Sequence, residues 1–354
     1  MSRALLYADV PGFYAEVERA ANPALAGRPV LVGGDPRKRG LVQAATADAR
    51  AAGVTDGMLV VDALERCPQA RALRTDMARY READKRLRAV FARFAERIEP
   101  AGMGAAWLEP EPGGEPLASL AAALRDAVAS ELRLPLRVGA APVKFLARLA
   151  AEEAGPGGFR AIEAGQVEAF LHPLPAARLP GVGARTTERL AELGVHTVGE
   201  LLAVERERVE RALGKHALAI LAAARGQGDD RVRAAHSQSL SQETTLAEPS
   251  VDRALLAETL RAQADRLERA LGLEGLTARR VTLKLRYADG ERITRSTSLE
   301  RPVRAAGELL DVALALLERT QAGTRPVRLL GLAASALQRP RRDDRQLELF
   351  GERA

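Results

Sequence analysis

Apolar and polar positions change their period several times along the chain, and the changes mark its elements. Leu5-Leu6-Tyr7-Ala8-Asp9-Val10 reads as a buried strand, and Pro11-Gly12 breaks it before Phe13-Tyr14-Ala15-Glu16-Val17-Glu18 opens a helix. Asp9 thus falls at a strand's C-terminal edge, where a carboxylate either caps the turn or holds a metal. Residues 29–32 and 40–45 read as strands, and 46–52 as a short helix ended by Gly53. Tyr80, Ala83, Leu87, Val90, Phe91, Phe94 and Ile98 recur at three- and four-residue spacing, which predicts an amphipathic helix from Met77 to Ile98. A hairpin over 97–109, a helix over 117–131, a strand over 136–140 and a helix from Val143 to Glu153 follow.

Beyond residue 166 the pattern is helical, interrupted by Leu179-Pro180-Gly181-Val182-Gly183, with Leu213-Gly214-Lys215-His216 as a second glycine turn. Such helix-hairpin-helix turns present backbone N–H groups to a phosphate without reading bases. Residues 226–236 are polar and glycine-bearing and read as a linker. After them come strand 238–246, helix 251–271, strand 279–288, an Asp289-Gly290 turn, strand 291–299, helix 304–320 and strand 325–337. This β-α-β-β-α-β order is that of a compact split-βαβ domain, with a hairpin at Asp289-Gly290.

Composition adds three constraints. The 354 residues, 47% hydrophobic, allow two or three folded domains. The single cysteine, Cys67, excludes an internal disulfide and fits a reducing compartment, and no long apolar run escapes interruption by arginine, so we expect a soluble cytoplasmic protein without a membrane partner. Net charge is +6, and residues 231–354 hold 22 Lys and Arg against 17 Asp and Glu, so most of the excess is C-terminal, as phosphate binding would use. His172, His196, His216 and His236 lack metal-ligand spacing.

The segment from Leu5 to Glu18 resembles the opening motif of Y-family translesion DNA polymerases of the DNA polymerase IV type. The likeness continues through Asn22-Pro23-Ala24-Leu25, Arg28-Pro29-Val30-Leu31-Val32-Gly33-Gly34, Gly139-Ala140-Ala141-Pro142-Val143-Lys144-Phe145-Leu146-Ala147 and Leu179-Pro180-Gly181-Val182-Gly183. The resemblance implies an α+β multidomain, right-hand-like fold. Its expected parts are a palm with a mixed sheet (1–21 and 77–165), fingers (22–76), a helix-hairpin-helix thumb (166–228), a linker (229–237), a β-α-β-β-α-β little finger (238–338) and a flexible tail (339–354). It makes Asp9 a catalytic metal ligand, Phe13 and Tyr14 nucleotide-binding positions with Tyr14 rejecting a ribose 2'-hydroxyl, and Arg50 a triphosphate contact. Gly181, Val182, Gly183 and Lys215 in the thumb, with Arg279, Lys284, Arg286, Arg292 and Arg295 in the little finger, become DNA-backbone contacts. Gln346-Leu347-Glu348-Leu349-Phe350 resembles the sliding-clamp-binding pentapeptide, with Gln346, Leu347, Leu349 and Phe350 entering the clamp.

Several of the family's chemical groups are missing. Gly104 and Ala105 stand where the family has an adjacent Asp-Glu pair, Ala47 stands for a phosphate-binding Tyr, and Gly155-Pro156-Gly157-Gly158 lacks a triphosphate Lys. Two-metal nucleotidyl transfer needs carboxylates that bridge ions roughly 3.5–4 Å apart, which one Asp cannot do. At most a weak, nucleotide-dependent Mg2+ site on Asp9 with dNTP would remain. Glu99, Glu109, Glu111 and Asp48 are the candidate substitutes, although Glu109 lies about 13 Å beyond Ala105 along an extended strand. We therefore expect a polymerase-like protein that binds primer-template DNA and the sliding clamp in translesion synthesis, with little or no polymerase activity and an accessory role beside another translesion polymerase. An active error-prone polymerase with rearranged ligands and a non-catalytic DNA-binding module remain the alternatives.

Overall fold

The computed structural model describes residues 4–111, 113–233 and 239–339, in two compact units, 1–235 and 236–354. The Gln346–Phe350 pentapeptide lies outside the described residues, as do positions 234–237 of the expected linker.

In the first unit β1 (Leu5–Asp9) is the middle strand of a sheet. Further strands are β2 (Val30–Gly33), β3 (Val42–Ala45), β4 (Arg71–Arg74), β5 (Arg97–Gly102), β6 (Ala105–Glu109), β7 (Arg137–Ala141) and β8 (Phe159–Ala161). One sheet runs β5-β6-β1-β7-β8 and a smaller one β3-β2-β4. β1 is apolar from Leu5 to Ala8 because both its faces are covered. Leu6, Ala8 and Val10 join the core beneath the helices Phe13–Ala21, Met77–Phe91 and Leu117–Leu132, while Leu5 and Tyr7 join the core shared with the helix Lys144–Ala154. That last helix lies so close that a Cβ on Gly139, opposite Tyr7 in β7, would come within 2.0 Å of the Ala147 carbonyl oxygen.

The amphipathic helix is shorter than its apolar pattern, ending at Phe91. Phe94 and Ile98 pack against the same core from the following turn and from β5, so the period outlasts the helix. The helix Val60–Arg66 and the short strands β4 and β8 were not expected from sequence.

The segment expected to be a linker makes specific contacts over its described part. Val232 is buried, and the Lys144 ammonium bonds Glu99 at 2.7 Å and Asp229 at 2.9 Å. The Arg233 N–H donates to Glu99 at 2.6 Å, and its guanidinium to Asp229 at 2.5 Å. Lys144 also lies 5.3 Å from the centre of the Trp107 ring, whose indole N–H donates to the Lys144 carbonyl at 3.3 Å.

The second unit has one sheet, β11-β10-β12-β9, built from β9 (Ser239–Ser250), β10 (Thr277–Tyr287), β11 (Arg292–Val303) and β12 (Val327–Gln338). Helices Arg253–Glu274 and Ala306–Glu318 cover one face and bury Leu260, Leu267, Leu309 and Leu316 against Val281, Leu283, Leu285 and Leu332. The observed order is the predicted β-α-β-β-α-β.

Burial works against ionisation of Asp229, yet hydrogen bonds from Arg233, Lys144 and the Arg231 N–H hold its carboxyl down at about 2. A depressed carboxyl stabilises the fold above its ordinary value of 3.8, and that contribution disappears as pH falls through about 2. Asp229→Asn should therefore be less stable than the parent at pH 7, with the difference shrinking between about pH 4 and 2. Urea denaturation across that range checks it; a difference independent of pH would contradict the assignment.

Candidate active site and nucleic-acid faces

Three side chains lie in a row across the palm strands. Asp9 in β1 is opposite Ala105 in β6 and opposite Arg137 in β7, and directly opposed residues share a sheet face. Asp9 is buried, and its carboxylate is taken by the Arg137 fork: Nε to Oδ1 at 2.6 Å and Nη2 to Oδ2 at 2.9 Å. Bidentate guanidinium–carboxylate pairing is among the stronger charge-assisted contacts, and here both partners are largely withdrawn from water. Sequence reasoning missed Arg137 altogether. In the next row burial chiefly, then the negative Asp9, pushes the Tyr7 phenol up to about 12, with the Arg148 and Arg137 charges acting in the opposite direction.

The hairpin tip between β5 and β6 is closed. Gly104 has φ +80°, and a Cβ built on it would meet the Phe13 ring at 2.5 Å. Its N–H donates to the buried Asp84 carboxylate at 2.8 Å, its carbonyl accepts from the Val10 N–H at 3.0 Å, and Arg88 holds Asp84 at 2.7 Å. Phe13 is thus packing beneath the tip. Tyr14 stacks on Tyr80, with centroids 4.5 Å apart and planes at 10°, and its hydroxyl donates to the Met103 sulfur at 3.7 Å. Tyr80 in turn donates to Glu18 at 2.9 Å.

Three of the four candidate substitute acids are engaged elsewhere. Glu99 is bound by Lys144, Glu109 pairs with Arg97 at 3.4 Å and Asp48 pairs with Arg19 at 3.3 Å, while Glu111 is exposed beyond the end of β6. Among the described residues no group of three or more His, Cys, Asp or Glu side chains is arranged to hold a metal ion. The donor set therefore does not fit a Mg2+ pair, and the weak single site expected at Asp9 would compete with Arg137 for the same oxygens. Arg50, expected on a triphosphate, donates to both oxygens of Asp56 at 3.0 Å and to the Ala45 carbonyl.

In the thumb region, Leu179–Gly183 links the turn Ala176–Arg178 to the helix Ala184–Glu192, and neither the Gly181 nor the Gly183 N–H donates a hydrogen bond among the described residues. Val182 donates to the Leu179 carbonyl at 3.2 Å, and Lys215 is exposed in the turn Gly214–His216.

In the second unit the helix-free sheet face carries Arg280, Thr282, Lys284 and Arg286 from β10, opposite Ser298, Ser296, Thr294 and Arg292 of β11. Lys284 pairs with Glu243 at 2.9 Å, and a hollow of about 300 Å³ lies among Lys284, Arg286, Arg292 and Thr294. The register corrects two expected contacts. The hairpin loop spans 288–290, with Tyr287 and Glu291 hydrogen-bonded across it, one residue longer than an Asp289-Gly290 turn. A one-residue slip exchanges faces, so Arg295 lies opposite Leu283 on the helix-covered side and donates to the Arg319 carbonyl at 3.3 Å. Arg279 sits at a bulge and caps the carbonyls of Leu299 and Glu300. Arg280, absent from the expected set, takes their place on the open face.

Three family models match successive parts of the chain. The impB/mucB/samB family matches residues 8–152, its C-terminal domain matches 237–349, and the DNA polymerase-iota thumb domain matches 177–228. A DNA polymerase IV of Alkalilimnicola ehrlichii is 37% identical over 98% of this chain and 99% of its own length, and one of Halorhodospira halophila is 37% identical over 96% and 97%. Among solved structures, a Y-family DNA polymerase chimera of Dbh and Dpo4 superposes with a TM-score of 0.81 at 24% identity, covering 95% of this chain and 100% of that one; an insertion ternary complex of Dbh DNA polymerase gives 0.78.

Breaking a buried ion pair on one side strands a charge, whereas replacing both partners removes the problem. Arg137→Met should cost about 3 kcal/mol or more of unfolding free energy, and Asp9→Leu combined with Arg137→Met clearly less. Urea denaturation of the variants measures the coupling; an additive double variant would contradict a paired site.

Proposed function

Given that this chain belongs to the Y-family DNA polymerases of the DNA polymerase IV type, we propose that it binds primer-template DNA and the sliding clamp during damage tolerance while performing little or no nucleotidyl transfer itself. It serves in the cytoplasm as an accessory to another translesion polymerase. The observation that carries this reading is the palm row: Asp9 has both oxygens on Arg137, and the positions expected to supply its partner acids are Gly104 and Ala105. Metal clamps supply several kcal/mol of transition-state stabilisation, and each 1.4 kcal/mol lost is about a decade of rate. Engagement of Arg50 by Asp56 further weakens the case for dNTP as a substrate.

DNA binding draws on parts that are intact. The open face of the second unit offers Arg280, Lys284, Arg286 and Arg292 among small hydroxyl side chains, and in the thumb Gly181 and Gly183, either side of Val182, offer backbone N–H groups and Lys215 an ammonium. Such contacts follow the backbone and tolerate any sequence. The name DNA polymerase IV carried by the relatives favours an active enzyme, and one assay separates the two readings.

In primer extension with Mg2+ or Mn2+ the purified protein should yield no product above that of Asp9→Ala; robust synthesis abolished by Asp9→Ala would reject the reading. Primer-template affinity by fluorescence anisotropy should fall at least tenfold when Arg280, Lys284, Arg286 and Arg292 are replaced by Ala, and should change little for Arg295→Ala. Deleting 346–354 should abolish clamp binding and leave short-duplex binding unchanged; equal clamp affinity without the tail would defeat that part.

A further inference from the structure

We propose that Arg137 is a resident cation that has taken the place of a divalent ion on Asp9, and that it keeps this corner of the palm metal-free even when a second carboxylate is supplied. The inference rests on the reading above that the corner holds no catalytic ions, and adds what enforces it.

The geometry separates two obstacles. At Gly104 the obstacle is space and backbone conformation: φ is +80°, the Cβ direction ends in the Phe13 ring, and the tip is fastened by Asp84 and the Val10 N–H. A carboxylate there requires rebuilding the tip. Ala105 differs, since it is directly opposite Asp9 in register, and cross-strand Cβ atoms stand about 4.5–5.5 Å apart, within reach of a shared ion. What stops position 105 from completing a two-acid site lies on the other side of Asp9. The Arg137 fork uses one lone pair on each Asp9 oxygen and places a delocalised positive charge 2.6–2.9 Å from them. An incoming dication must displace that guanidinium or lie against it, and either course is opposed by like-charge repulsion. A guanidinium stays charged at every accessible pH, so the block is permanent.

Arg137 is tied to the palm by more than its charge. The same pair joins β1 to β7, on the sheet face where helix Lys144–Ala154 packs, so the group that excludes a metal also supports the strand carrying Asp9.

Mn2+ binding to the full-length protein, read by electron paramagnetic resonance of the free ion, tests this without recourse to activity. The parent and Ala105→Glu should leave Mn2+ free at millimolar concentration, and Ala105→Glu combined with Arg137→Ser should bind at least tenfold more tightly than Ala105→Glu alone. If Arg137→Ser fails to fold, Arg137→Gln keeps the stem and a donor while removing the charge, and should act in the same direction. Ala105→Glu binding Mn2+ as tightly as the double variant would overturn the role of Arg137, even if the parent extends no primer. Primer extension by the parent would overturn the functional reading and leave the affinity comparison intact.

Discussion

The ion pair between Asp9 and Arg137 is the constraint on which the palm depends. A carboxylate buried at the end of a central strand must be paired or neutralised, because an isolated charge there is expensive. A polymerase palm would answer that demand with metal ions and neighbouring acids. Here a guanidinium from the adjacent strand answers it, at 2.6 and 2.9 Å, and the opposite neighbour is a methyl group. The surrounding changes are consistent with one another. Gly104 accommodates Phe13, Asp84 holds the hairpin tip, and Tyr14 is stacked on Tyr80. The corner is a packed and internally satisfied part of the fold.

Much of this was legible in the sequence. The apolar run of β1, the glycine break and the helix after it located Asp9, and the absence of carboxylates at 104 and 105 followed from the resemblance to Y-family polymerases. The β-α-β-β-α-β order of the second unit followed from alternation and a turn signal. What escaped was register. Arg137 could be placed on a strand but not opposite Asp9, because strand pairing is set by packing across the whole sheet. The same limit moved Arg295 off the open face: a loop one residue longer than its Asp-Gly signal exchanged the faces of β11, and a bulge displaced Arg279. The linker escaped for a different reason, since its polar composition conceals a buried Val232 and the charges that meet Lys144 and Glu99.

The division of chemistry between the units follows from these placements. In the first unit, several charges are paired with one another: Arg50 with Asp56, Lys144 with Glu99 and Asp229, Arg137 with Asp9. In the second unit, Arg286 and Arg292 remain on an open sheet beside serine and threonine hydroxyls, a surface suited to a phosphate backbone. The Asp9–Arg137 pair and the basic sheet face belong to different units of one chain.

The most direct measurement is a crystal structure of the protein with primer-template DNA, dNTP and Mn2+, with anomalous scattering used to locate manganese. The account predicts no anomalous peak at Asp9 and an Arg137 guanidinium still on both its oxygens. Two peaks roughly 3.5–4 Å apart at that corner, with Arg137 swung away, would contradict it.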